Sequence, residues 1–209
     1  MKYYSVQEIR ALEQSAITQG ITAAELMQRA GKSAADHIMR SYSLIDNPQV
    51  CVLCGKGNNA GDGFVVARQL ADEGYAVSLV LVEIAKYSEQ TQANWLKVSM
   101  LPCVLLTSQA KQARELIMAA DIIIDAMIGI GFTGEIKPAY RDAVCALNLS
   151  GKKIIALDIP TGVDADNGVA SPFYVRPTET LTFIAPKPAM CRDNPASVFG
   201  KITVIDIGI

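Results

Sequence analysis

The sequence has a single histidine, His37, no run of like charge, and no apolar stretch reaching the ~18 residues of a membrane-crossing helix. Each absence removes a class of function. With a formal net charge of -2 and no basic run, neither nucleic acid nor an acidic membrane surface is an expected partner. The opening "MKYYSVQEIRALEQ" contains no apolar signal core, so a cytoplasmic location is expected. Cysteine is scarce and odd in number: Cys51, Cys54, Cys103, Cys145 and Cys191. Without an export signal, that argues against a disulfide framework. Cys51 and Cys54 have the C-x-x-C spacing of zinc and redox sites. They lie, however, in a strand pattern, "QVCVLC", where positions i and i+3 point to opposite faces. There is no second such pair and no spare histidine, so buried thiols are expected.

What the chain does have is apolar residues, half of its 209, and only 19% charge, enough for a full globular core. A single domain over 1–209 is expected, with helices in 1–45 and an α/β core over 49–209. Ser5-x-x-Glu8 and Thr22-x-x-Glu25 are capping-box patterns, each opening an amphipathic helix, with Gly20 between the two. Ile9, Leu12 and Ala16 share a face of the first helix. This pair is expected to pack on the sheet or on a partner chain. From residue 49, strand and helix patterns alternate. Strands are predicted at "QVCVLC", "YAVSLVLV", "CVLL", "DIIIDAM" and "KKIIALDIP", with helices over 60–74, 88–100, 109–120 and 138–149 between them. Two further strands, "TETLTFIA" and "GKITVIDIGI", have no helix pattern between them and suggest an edge extension. Continuous apolar strands imply a mostly parallel sheet covered on both faces, a doubly wound, Rossmann-like α/β sandwich.

Ligands of such folds bind beyond the carboxyl ends of the strands, where strand order reverses. With order 3-2-1-4-5, three unusual loops converge there: "GKGNNAGDG", "DAMIGIGFTGE" and "LDIPTGVDADNG". The first is not a P-loop, because no Gly-Lys-Ser/Thr closes it. As a dinucleotide fingerprint it fails too, since Gly61 comes one residue late. Asp62 would then stand at the helix entrance, where its charge repels a pyrophosphate. A glycine turn with an Asp cap explains Gly55 and Gly57, but not the amides of Asn58 and Asn59, which suit a ligand or cation. Gly129, Gly131 and Gly134 make the second loop the better phosphate cradle, through close approach and positive φ. Asp125, which begins it, fits a site residue or an Asx turn. In the third loop, Pro160 restricts Ile159 to extended backbone, which aims Asp158 into the crevice. Asp164 and Asp166 fit turn formers. The calcium-loop reading of "DADNG" fails at Gly168 and Val175. Lys187, between two prolines, fits an anion contact or a solvated lysine equally.

Taken together, "ELMQRAG", "GKGNNAGDGFVVARQL", "DAMIGIGFTG", "LDIPTGVDAD" and "TFIAPKP", in this order, resemble the YjeF N-terminal domain family of NAD(P)HX epimerases. The resemblance runs from about residue 5 to 208. It implies an isomerase that interconverts the R and S forms of NADHX and NADPHX, the nicotinamide nucleotides hydrated at C6. It also implies a dehydratase partner, often fused in the same chain, a homodimer, and a bound potassium ion. By position, Asn58, Asn59, Ala60, Gly61 and Asp62 match one substrate-binding stretch. Gly129, Ile130, Gly131, Phe132, Thr133, Gly134 and Glu135 match a second. Asp158 matches a ligand-contacting aspartate and is the expected acid/base. Asn59, Asp125 and Thr161 match potassium ligands, the last usually serine. Ala60 replaces a family glycine, at a cost of about 1 kcal/mol if that position needs positive φ. Gln28 stands for a frequent glutamate, and Ala189 for a common glycine. Two other readings remain: an NAD(P)-dependent oxidoreductase, with Glu83 on a ribose, and a non-catalytic nucleotide-binding or dimerisation module.

Overall fold

A computed structural model describes residues 2–42, 48–84, 86–102, 104–192 and 194–209. Seven strands form one sheet: β1 Gln49–Cys54, β2 Ala76–Leu81, β3 Val104–Thr107, β4 Ile122–Ala126, β5 Lys153–Leu157, β6 Glu179–Phe183 and β7 Lys201–Ile205. Their order is β3-β2-β1-β4-β5-β6-β7, and every pairing is parallel. The expected 3-2-1-4-5 order is therefore met, and the last two strands extend the sheet at the β5 edge. Strand order reverses between β1 and β4, which places the crevice at their carboxyl ends.

The two faces are covered separately. Val50, Val52 and Cys54 of β1 pack with α2 (Ala23–Ser41), α3 (Asn58–Asp72) and α4 (Glu89–Ser99). Cys51 and Leu53 pack on the other side with α5 (Ala110–Ala119) and α6 (Pro138–Leu149). The strand alternation thus sends the two thiols into different cores, and burial pushes both up, Cys51 to about 11. Cys145 is half-buried, Cys191 is exposed, and Cys103 lies outside the described residues.

Local chemistry sets the helix ends. In α1 (Val6–Thr18) the Ser5 hydroxyl accepts from the Glu8 N–H at 3.2 Å, while the Ser5 N–H donates to Glu8 Oε2 at 2.8 Å. The second pattern is only half a box: Thr22 Oγ1 accepts from the Glu25 N–H, but the Glu25 carboxylate pairs with Arg29 at 2.6 Å. Gly20 turns the chain between them at φ 100°. α2 lies on the sheet side, with Ala34, Ala35 and Ile38 fully buried.

Two expectations need correction. The helix predicted from Ala60 begins at Asn58, with Gly57 as its cap, so Asp62 lies in the second turn and caps nothing. Its charge is therefore free of the helix entrance. Between β6 and β7 the chain does turn helically, in a 3₁₀ turn Pro188–Cys191 and a single turn α7, Ala196–Phe199. Both are too short to produce an apolar periodicity.

Candidate active site

The first loop and the start of α3 approach β4 closely. A Cβ on Gly55 would lie 2.1 Å from the carbonyl oxygen of Met127, so no other residue fits there. Asn58 Oδ1 accepts hydrogen bonds from Ser88 at 2.8 Å and Thr91 at 3.3 Å, which ties the loop to α4. Asn59 is buried, and neither its amide oxygen nor its amide nitrogen has a hydrogen-bond partner among the described residues. A buried, unpartnered amide costs roughly 1–3 kcal/mol, so this one is built for something else. Ala60 is fully buried in helical backbone, not at positive φ. Its methyl therefore brings no strain.

Asp125, in β4, is fully buried. Its Oδ1 accepts from the Thr161 hydroxyl at 2.7 Å and the Met127 N–H at 3.2 Å, and its Oδ2 from the Thr161 N–H at 2.8 Å. It is thus both the Asx-turn former and the anchor of the third loop. Burial pushes its carboxyl up to about 6, against the opposing pull of those hydrogen bonds. Thr161 Oγ1 also accepts from the Ile128 N–H at 3.0 Å, and Gly129, next along, lies against Asn59. The 127–129 turn therefore links all three expected cation ligands. An amide oxygen, a carboxylate and a hydroxyl form an oxygen set suited to a hard cation. Of the three loop glycines only Gly134 has positive φ; Gly129 serves close approach instead, since a Cβ there would lie 3.2 Å from Asn59 Cβ.

Asp158 follows β5 at φ 64°, with the Ile159 N–H bonded back to the Leu157 carbonyl at 2.8 Å. That is a γ-turn of the rare positive-φ kind. Its side chain is aimed by this turn, which the sequence does not announce. Ile184 repeats the arrangement after β6, at φ 68°, with the Ala185 N–H on the Phe183 carbonyl at 2.7 Å. Each such residue stores roughly 1–3 kcal/mol, and such strain clusters at functional sites. Here it is held by neighbours: the Asp158 N–H donates to Leu181 O at 2.7 Å, and the Phe183 N–H to Asp158 Oδ1 at 3.2 Å. Lys187 is fully buried, not solvated. Its ammonium donates to Asp158 Oδ1, to Thr182 Oγ1 at 2.7 Å and to the Phe183 carbonyl at 3.0 Å.

These parts meet around a cavity of about 580 Å³. From the expected stretch 58–62, Asn58, Asn59 and Asp62 line it, while Ala60 and Gly61 face away. From 129–135, all but Gly134 do. Asp158 and Lys187 form one wall; Asp125 and Thr161 are not in the lining and lie behind the 127–128 turn, from whose N–H groups they accept. Burial, then the charges of Asp158 and Glu13, hold the Asp62 carboxyl well above the usual range. Glu83 is not in the lining; it accepts from the Tyr140 hydroxyl at 3.0 Å and pairs with Lys56 and Lys137 at the rim.

The two N-terminal helices form another wall: α1 supplies Ile9, Arg10, Glu13 and Ile17, and α2 supplies Ala23, Leu26, Met27 and Ala30. Sequence reasoning missed Arg10 and Glu13. The available signal was a carboxylate four residues after Ile9, on the flank of an apolar stripe. Asp166, expected to shape a turn, straps this helix down: its Oδ1 accepts the Val6 N–H at 2.8 Å. Asp164 does form the turn, accepting from Asp166 and Asn167 N–H groups.

Residues 23–189 match the family described as YjeF-related protein N-terminus. The chain belongs to this family. It is 33% identical to the NAD(P)H-hydrate epimerase of Pirellula staleyi, over all of this chain and 93% of that one. It is also 33% identical to the bifunctional NAD(P)H-hydrate repair enzyme Nnr of Coxiella burnetii, over 99% of this chain. It spans only 41% of that enzyme. The crystal structure of the yeast protein YNL200c has the same fold as this YjeF-related chain, with a TM-score of 0.83 over 98% of this chain and 87% of that one, at 24% identity. Among the described residues no helix is long and apolar enough to cross a membrane.

Proposed function

We propose that the protein is an NAD(P)H-hydrate epimerase, an isomerase interconverting the R and S forms of NADHX and NADPHX. The observation that carries this reading is the cavity. It is lined by residues from each of the two stretches that the family resemblance marks for substrate, and by Asp158, at the switch point where such folds bind nucleotides. Its volume of about 580 Å³ lies within the range of small-molecule and cofactor sites.

In this reading the N1 lone pair of the reduced ring expels the C6 hydroxyl, leaving a flat iminium. Water then adds to the other face. The departing oxygen needs a proton and the entering water must lose one. Asp158, ion-paired to Lys187, takes the proton, and its negative charge favours the cationic intermediate. The N–H groups of the 129–134 loop offer donors to the nucleotide's phosphates. A potassium ion, held by Asn59, Asp125 and Thr161, fits the unpartnered Asn59 amide. When bound it would supply positive charge that offsets the Asp125 carboxylate and favours an anionic ligand. Its partner activity is a dehydratase that consumes one epimer, as the bifunctional relatives suggest.

The decisive test follows R-NADHX by chromatography in potassium buffer, with and without the protein. Acceleration of epimerisation over the spontaneous rate is expected, and its absence would overturn the reading. Asp158→Asn, with folding intact, is expected to lower the rate by about 100-fold or more. For the cation, the melting temperature should be higher in potassium chloride than in choline chloride, and Asn59→Leu should abolish that difference.

A further inference from the structure

Inverting a ring carbon raises a problem that one carboxylate does not solve. The leaving hydroxyl and the entering water occupy opposite faces of the ring, so protons must be handled on two sides. Asp158 sits on the strand-end wall and is already engaged by Lys187 and the Phe183 N–H. The wall formed by α1 carries one carboxylate that lines the cavity, Glu13. The other acid of that helix, Glu8, is committed to its capping box.

Two features set Glu13 apart from an ordinary surface acid. First, no hydrogen bond or ion pair engages its carboxylate among the described residues, a property it shares in the cavity with Asp62, whereas Asp158 and Glu135 are ion-paired. Second, its backbone is fixed. The Tyr4 N–H donates to the Pro186 carbonyl at 3.0 Å, the Val6 N–H to Asp166, and Ile9 and Ala16 are buried on either side of Glu13 along the helix. A half-buried, unpartnered carboxylate on a fixed helix is aimed at a ligand.

Resting on the epimerase reading, we propose that Glu13 is a second catalytic residue, the proton donor acting from the α1 wall while Asp158 acts from the strand-end wall. Its surroundings suit that role. Burial and the charge of Asp158 raise the Glu13 carboxyl, against the pull of Lys187 and Arg10. Asp62, from α3, also faces it, and its own carboxyl is raised by burial and then by the charges of Asp158 and Glu13. An ion-paired carboxylate and unpaired ones in a single cavity divide into base and acid, and of the unpaired two Glu13 is the one on the α1 wall. As the C6–O bond breaks, its electron pair leaves with the oxygen, which takes the proton of Glu13 and departs as water. The N1 lone pair becomes the C=N bond. A water then bonds to C6 from the other face, its proton passes to Asp158, and N1 regains its lone pair. The substrate gains and loses one water, and the proton returns from Asp158 to Glu13 through solvent. In the reverse direction the two groups exchange roles.

The test is Glu13→Gln in the same R-NADHX assay, with melting temperature and calorimetric titration of NADPH confirming a folded, binding protein. The expected result is a kcat lower by about 100-fold or more with KM within about threefold. The fall in rate as pH rises through the Glu13 titration should vanish, and Glu13→Asp should restore about a tenth of the rate or more. If Glu13→Gln does not fold, Glu13→Asp alone must show a lowered kcat and a displaced high-pH limb. A Glu13→Gln rate within about threefold of wild type, with the pH profile unchanged, overturns the assignment. So does loss of the limb in Asp62→Asn but not in Glu13→Gln. A wild type that fails to accelerate epimerisation instead overturns the epimerase reading itself.

Discussion

All three protons of the Lys187 ammonium are accepted by protein oxygens, so water is not needed to hold its charge. Lys187→Met should therefore leave Asp158 without its counter-charge, and destabilise the fold by about 3–5 kcal/mol in urea unfolding. Sequence left this lysine open between a ligand contact and solvent, because its burial depends on oxygens contributed by three other residues. Asp62 was misplaced for a related reason: glycines at 55, 57, 61 and 63 hide where a helix starts. Its raised carboxyl gives a pH signature. A group whose proton is held more tightly in the fold adds no penalty below its unfolded value near 4, and the penalty grows as pH rises toward the folded value. Asp62→Asn should thus leave the melting temperature unchanged at pH 4 and raise it at pH 8, by about 2–4 °C for each kcal/mol of relief.

Elements were far more legible than their joints. α6 starts at Pro138 and ends at Leu149, as the periodicity predicts, because its proline start and apolar stripe are local signals. The two γ-turns after β5 and β6 left no such trace: Asp158 and Ile184 are held at positive φ by hydrogen bonds to neighbouring strands, and nothing in their own identity requires it. Glycines divide in a testable way. A Cβ at Gly55 would meet the backbone of Met127 at 2.1 Å, whereas one at Gly61 would meet the flexible end of Met27 at 2.5 Å. Gly55→Ala is expected to cost about 3 kcal/mol or more and Gly61→Ala about 1 kcal/mol, read from urea midpoints. The order of the two is the sharper expectation.

Across the whole molecule, the sheet and the first helix differ in how firmly they are held. The central strands β1, β4 and β5 are buried on both faces, whereas α1 buries little beyond Ile9 and Ala16. Amide exchange should be slowest in those strands, and α1 should open at a lower free energy than global unfolding. If α1 is a wall of the nucleotide site, NADPH should slow exchange there more than in α5. Topology was legible because each parallel strand announces itself as an apolar run. The participation of α1 was not, because it depends on contacts between residues far apart in sequence. The bond from Val6 to Asp166 spans 160 residues. Loop closure over such a distance comes late and is slow to gain. On the ribosome, therefore, α1 is made well before its strap, and the ligand site closes only after Asp166 has emerged. A nascent or truncated chain could build much of the sheet and still bind nothing.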